Sequence, residues 1–366
     1  MVRKYLPKSI EEAAEWYMRY VSPVSLIAAF LVDTFFLLRR VDVWTTNLVL
    51  FSYLTLAAGT IILISLIQTG RLKQWWLLKA TPFLPVVTQY AFGGLFSAYL
   101  SLYSRSAAFA ASWVFVLALA VLLIANERFV RFYMRFTFQV SIFFTVLFSF
   151  LIFYLPLVFK TIGPNMFLAS GLISLLGISA FLWLQSFLTP ELVRRELTNI
   201  ARSIAIIFVV INVLYFSGAI PPLPLSLKEA GVYHKVTRVA DEYQLLYEPV
   251  PWFESYLRYN TVYHRAPGEP LYAFSAVFAP SGLSTTLSHQ WQHFNTATEK
   301  WDTIATVKFS VVGGRDAGYR GFSTTANQQS GRWRVNVMTS YGQVIGRISF
   351  TVVDVPERIP LEQKTL

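Results

Sequence analysis

The amino-acid sequence predicts an α-helical membrane bundle of about seven transmembrane helices followed by an all-β Ig-like sandwich domain. Three observations carry that prediction. Apolar stretches long enough to cross a bilayer fill residues 1–220. None occurs in residues 221–366. Past residue 220 the apolar period changes from helical to alternating. Composition agrees: the chain is 55% hydrophobic, 16% aromatic and only 14% charged, where soluble domains carry about a quarter charged residues.

The spans read as Val24–Leu38, Leu48–Ile67, Phe83–Tyr103, Ala107–Ala125, Phe138–Phe159, Met166–Leu188 and Ile204–Ile220. The first is the shortest and carries Asp33. No small-residue cleavage site follows it, so it is expected to stay as an anchor. Residues 1–22 are expected to form a cytoplasmic interfacial helix. Ser9-Ile-Glu-Glu12 has capping-box spacing, and Ile10, Ala13, Trp16 and Tyr20 recur on one helical face. Trp75 and Trp76 lie among Arg71, Lys73 and Lys79, the pattern of rings at headgroup depth. Thr189-Pro190-Glu191 predicts the start of a short helix, with a hydroxyl cap, a first-turn proline and an acid at the positive dipole end. Gly93-Gly94 and Gly171 with Gly177 suit close helix packing.

The net charge of +11 is unevenly placed. Residues 1–220 hold 17 Lys and Arg against 8 Asp and Glu, while residues 221–366 hold 14 against 12. The excess belongs to the membrane half, which argues against nucleic acid as a partner. Loops on the N-terminal side carry thirteen Lys and Arg and those on the other side four. Basic residues stay inside. The expected localisation is therefore a plasma (inner) membrane, with the N-terminus cytoplasmic and residues 221–366 extracytoplasmic. Cysteine is absent, which excludes disulfides and thiolate chemistry.

Within the spans Asp33 is the only acid, accompanied by the amides Asn47, Gln89, Gln139, Gln185 and Asn212. Asp33 lies toward the outer leaflet and Arg105 in a short outer turn, so the two form a candidate intramembrane pair. A structural ion pair and an ion relay both fit. A retinal pigment needs a lysine in its last span, and Ile204–Ile220 has none.

Pro221-Pro222-Leu-Pro224 ends the last helix. Residues 221–265 read as a proline-rich linker and a hairpin turning at Asp241-Glu242. Residues 266–355 read as an antiparallel sandwich and 356–366 as a tail. The strands expected are 272–278, 285–294, 301–312, 318–324, 332–338 and 344–353, separated by turn formers such as Gly313-Gly314 and Tyr341-Gly342. Trp333, Val335 and Val337 alternate with Arg332, Arg334 and Asn336, so one face of that strand meets a core.

Ser288-His-Gln-Trp291, Trp301, Gly331-Arg-Trp-Arg-Val-Asn-Val337, Tyr341-Gly-Gln-Val-Ile-Gly346 and Ile348-Ser-Phe-Thr-Val352 resemble domain of unknown function 2914. The membrane half is similar to the architecture that often precedes this domain, most closely at Leu102–Ala107, Ala111–Trp113 and Ile220–His234. The sequence departs from the family pattern at Gln290, Gln292 and the Asn295–Lys300 turn. The resemblance implies a bacterial multi-pass protein with no established activity.

Candidate site residues follow from these elements. His289, Trp291, Trp301 and Trp333 form the sandwich motif. Trp252, Tyr256, Tyr259, Tyr263, Tyr319 and Arg320 are candidate surface contacts of the kind that dominate glycan platforms and protein hot spots. His289 and His293 lie about 13 Å apart on a strand, too far to share one ion. No metal or cofactor is expected, and no nucleophile elbow, P-loop or dinucleotide glycine pattern occurs. The expectation is a non-enzymatic membrane protein, in contact with the lipid bilayer, that presents a sandwich binding a glycan or an envelope protein. The alternative is a membrane-embedded transporter or enzyme using polar residues of the bundle.

Overall fold

The computed structural model describes Leu31 and residues 42–106, 109–126, 129–222, 224–240, 242–249, 261–326 and 329–366, excepting the side chains of 76–78, 105–112 and 129–131. Two units are present and are taken in turn.

The first is helical. Its elements are α1 (Trp44–Gln68), the short α2 (Trp75–Ala80), α3 (Leu84–Ser106), α4 (Phe109–Asn126), α5 (Phe136–Phe159), α6 (Pro164–Leu188) and α7 (Pro190–Phe216). Six of these are long, where the sequence reading counts seven spans; Val24–Leu38 lies outside the described residues except for helical Leu31. Five helices are long and apolar enough to cross a membrane: Trp44–Gln68, Thr81–Ser104, Phe136–Phe159, Pro164–Leu188 and Pro190–Phe216.

The last helix corrects the expected boundary. Nothing between Glu191 and Phe216 breaks a helix, so the short helix and the span are one continuous α7. Thr189 does not cap it. Its Oγ1 instead donates to the Gln185 carbonyl in α6, 3.2 Å away. Close packing uses the expected glycines. A Cβ on Gly94 would lie 2.6 Å from the Tyr53 ring, and one on Gly171 would lie 3.0 Å from Phe208. Tyr99 and Tyr103 of α3 donate to the Val146 and Ser149 carbonyls of α5. The opposite faces are apolar too. Leu172, Leu176, Trp183 and Phe187 of α6, with Ile206, Val209, Val213 and Phe216 of α7, are all more than half exposed.

The second unit is β-rich. Its strands are β1 (Ser226–Tyr233), β2 (Lys235–Val239), β3 (Glu242–Tyr247), β4 (Val262–Arg265), β5 (Leu271–Phe278), β6 (Ser284–Asn295), β7 (Lys300–Val312), β8 (Tyr319–Thr325), β9 (Gly331–Thr339), β10 (Val344–Asp354) and β11 (Glu362–Thr365). They make three sheets, ordered β1-β5-β8, β4-β10-β9-β6-β7 and β11-β3-β2.

The first two sheets face each other across Ala230, Val232, Leu271, Ala273, Trp291, Trp333, Val335, Ile348 and Phe350, all buried. The third sheet covers the back of β5, where Val236, Tyr243 and Leu245 meet Phe274 and Ala276. That cover explains why β5 reads Leu-Tyr-Ala-Phe-Ser-Ala-Val-Phe without alternation: both its faces are buried. Three details differ from the sequence reading. β1, placed in the linker, pairs with β5. β4 joins β10 in parallel, so the sheet is mixed and not purely antiparallel. The tail supplies β11, paired with β3.

Candidate functional site

The five-stranded sheet has two unlike faces. On the inner face Trp291 and Trp333 are fully buried, edge to face at 6.3 Å. His289, also fully buried, lies between two serines, with Nε2 2.7 Å from Ser275 Oγ and Nδ1 2.9 Å from Ser323 Oγ. Trp291 Nε1 donates to the same Ser323 oxygen at 3.0 Å. Burial pushes the His289 ring down to about 4, so it is neutral at pH 7. One assignment closes the chain: Ser323 accepts from Trp291 and donates to Nδ1, and Nε2–H donates to Ser275. The histidine partners are therefore side-chain hydroxyls, not backbone. His289 and Trp291 build the core.

Trp301 is the exception among the four motif residues. On β7, Ala305 pairs with Trp291 and packs toward the core, but Thr303 pairs with Gln292. One extra residue, Ile304, sits between them as a bulge, and the bulge flips the face of everything before it. Trp301 thus reaches the outer face, where its ring meets Phe294 edge-on at 5.2 Å. The Arg334 guanidinium lies 4.3 Å above Trp301, and Arg332 lies 4.1 Å above Phe294. Both are cation–π distances.

A ladder of amides fixes Arg334 and, further along the face, Arg347. Arg334 Nε donates to Gln292 Oε1 at 2.7 Å, and Gln292 Nε2 donates to Thr303 Oγ1 at 3.0 Å. Asn336 Nδ2 donates to the side-chain oxygens of both Gln290 and Gln292. Arg347 Nε donates to Asn336 Oδ1 at 2.7 Å. Among the described residues no carboxylate pairs with Arg334 or Arg347. Burial first, and then the neighbouring Arg347 charge, hold the Arg334 guanidinium below its ordinary value; burial does the same to Arg347. Gln290 and Gln292, two of the departures from the family pattern, take part in orienting the charge: Gln292 accepts from Arg334 directly, and Gln290 acts through Asn336. Beside this face a cleft of about 400 Å³ opens among His293, Asn295, Asp302, Gln329 and Arg332.

A second polar cluster escaped the sequence reading. His234 is buried between two carboxylates, with Nδ1 2.9 Å from Glu269 Oε1 and Nε2 2.9 Å from Glu248 Oε1. Glu248 also takes the His264 ring at 2.8 Å and the His264 backbone N–H at 2.6 Å. Burial alone would lower the His234 value, but the hydrogen bonds and charges of Glu248 and Glu269 outweigh it and hold it raised. Glu248 is held below its ordinary value: its hydrogen bonds to His234 and His264 outweigh burial. Tyr263 stacks on the His234 ring at 4.2 Å, so it is a packing residue and not a surface contact. These donors consume one another, and among the described residues no group of three or more His, Asp or Glu is placed to hold a metal ion.

The other candidates divide simply. Asp33, Trp252, Tyr256 and Tyr259 lie outside the described residues, as does the Arg105 side chain. Tyr319 is half-buried against a core cluster. Arg320 is half-buried on β8, away from the arginine face.

Residues 284–352 match the family described as Protein of unknown function (DUF2914). This region therefore carries the domain its His-x-Trp and Gly-x-Trp strands resemble. The match takes in both buried tryptophans and the arginine face; the helical unit lies outside it. No curated protein matches the chain. Among solved structures, β-glucosidase from Listeria innocua in complex with glucose is 18% identical over 24% of this chain and 14% of that one, with a TM-score of 0.19. A mutant of that enzyme in complex with laminaribiose is 13% identical over 38% of this chain and 18% of that one, at 0.20. The Pseudomonas fluorescens alkylpurine DNA glycosylase AlkC, bound to DNA containing an abasic site analog, is 10% identical over 84% of this chain and 98% of that one, at 0.22. The chain spans under a fifth of the length of the β-glucosidases it matches.

Proposed function

We propose that this chain is an integral membrane protein presenting its β-unit outside the cytoplasm, where the arginine–aromatic face binds an acidic envelope glycan. The observation that carries the binding reading is the pair of guanidiniums, Arg334 and Arg347, oriented by amides and without a carboxylate partner among the described residues. Half-buried positive charge of this kind is compensated by an anion from outside. Phe294 and Trp301 supply the flat apolar surface beside it, and the neighbouring cleft of about 400 Å³ is of ligand size. The membrane reading is supported by the exposed apolar sides of α6 and α7, which in water would be an aggregation surface. The charge bias of thirteen against four supports an outer location for the C-terminal region. The transporter or enzyme alternative has less behind it: no acidic residue lies within α1, α3, α4, α5 or α6.

Two measurements test the proposal. A C-terminal alkaline phosphatase fusion should be active and the matching green fluorescent protein fusion dark; the reverse pattern defeats the outer location. Full-length protein in nanodiscs should bind acidic but not neutral polysaccharides, and Arg332→Ala with Arg334→Ala should abolish that binding. Capture of an envelope protein through the same residues, with no polysaccharide bound, would replace the glycan with a protein partner.

A further inference from the structure

We propose that the groove between the N-terminal halves of α5 and α7 is a phospholipid site. Arg135 and Arg195 hold the headgroup phosphate, and the acyl chains run toward Ile206 and Ile207. The inference rests on the membrane reading above.

The groove measures about 880 Å³. Its α7 wall is a single stripe, Leu192, Arg195, Asn199, Ser203 and Ile206, recurring every three or four residues. From Arg195 onward the stripe passes from charged through polar Asn199 and Ser203 to apolar Ile206. From Arg195 to Ile207 the helix rises about 18 Å at 1.5 Å per residue, close to one leaflet of a hydrocarbon core about 30 Å thick. The α5 wall shares only the charged end, with Arg135 before the helix and Thr137, Phe138 and Ser141 within it.

The charges at the polar end are available. Arg195 is 82% exposed, and its nearest acid is Glu196, its own neighbour, at 3.5 Å. Glu196 in turn is engaged across the groove, accepting from Thr137 Oγ1 at 3.0 Å. Arg135 rests on the Phe132 ring at 5.3 Å and meets no carboxylate among the described residues. A soluble phosphate ester would satisfy the two arginines and leave the apolar half of the groove wet. A phospholipid fills both ends at once, and its phosphate sits at the depth where arginines flanking a span are favoured.

The test uses the full-length protein in nanodiscs of phosphatidylethanolamine and phosphatidylglycerol, a fraction of the latter carrying a photoreactive acyl chain. Crosslinks mapped by mass spectrometry should concentrate on residues 136–141 and 203–207. Arg135→Ala with Arg195→Ala should reduce that labelling about thirtyfold, the loss expected for two arginines at a lipid surface. Arg135→Lys with Arg195→Lys should keep most of it. Both arginines are exposed, so neither pair threatens the fold. Labelling spread evenly around the helices, or unchanged in the alanine pair, overturns the site. Loss of labelling on adding glycerol phosphate overturns it in favour of a soluble ester. Release of the protein from native membranes by alkaline carbonate defeats the membrane reading itself; retention with even labelling defeats only the groove.

Discussion

Trp333 and Trp301 belong to one sheet and turn to opposite sides of it. On the inner face that Trp333 shares with Trp291, burial keeps His289 uncharged between two serines. Around Trp301, Arg334 meets no carboxylate among the described residues and lies over the Trp301 ring. A core tolerates a polar atom only when its partner comes with it. The half-buried charge of the other face, which meets no carboxylate among the described residues, is what supports the proposed binding reading. The cluster at His234 is a third case, where the hydrogen bonds and charges of two carboxylates outweigh burial and hold the ring's pKa above its ordinary value.

The largest effect that could break this contrast is Trp333→Ala. Truncating a buried tryptophan costs about 3–5 kcal/mol, comparable to the whole stability of many domains. All pairing among the described strands lies within residues 226–365, so a fragment of residues 220–366 should fold, and this change should unfold it or collapse its melting temperature. A stable variant that has lost only ligand binding would place Trp333 on the working face.

Next comes the acid limb of stability. His289 in the fold titrates near 4, below the ordinary value of about 6.5. The unfolded chain therefore takes up its proton first. Stability should fall by roughly 3 kcal/mol as the pH drops from 6.5 toward 4, then level off. Denaturant titrations across that range should show the slope, and His289→Asn should remove it.

His234 sharpens the comparison from the other side. Its raised value means that its contribution is complete below about 6.5 and is lost as the pH climbs through the folded value. Glu248, held low, contributes above about 4.3 and is lost as the pH falls through its folded value. His234→Gln should cost roughly 1–3 kcal/mol at pH 6, since it strands buried carboxylate oxygens. It should also flatten the alkaline limb. An alkaline limb identical in variant and parent would show a neutral ring.

The smallest stability effects belong to the outer face. Trp301→Ala should cost less than about 1 kcal/mol, and Arg334→Gln with Arg347→Gln should stay within about 0.5 kcal/mol of the parent. Both should nevertheless remove acidic-ligand binding, read as retention on an immobilised acidic polysaccharide. A loss of several kcal/mol in melting experiments on Trp301→Ala would return that ring to the core.

Several features needed only the sequence. Uninterrupted apolar runs mark the helices because backbone hydrogen bonding inside each segment is local. Strict alternation marks β9, and the inward set Trp333, Val335 and Val337 follows from a side-chain period of two. The DUF2914 region was legible through the motif residues it shares with that family, which periodicity does not supply. Three things belonged to the tertiary structure. A single extra residue, Ile304, reversed the face of Trp301, and no alternation count can see a bulge whose partner strand is unknown. β5 lost its alternation because a third sheet, completed by the tail, covers its back. Glu248 and Glu269 reach His234 from 14 and 35 positions away, so their effect on its charge exists only once the strands have paired. Local periodicity is written residue by residue. The company a charged group keeps is decided by pairing between distant strands, and that pairing decides which charges remain for a ligand.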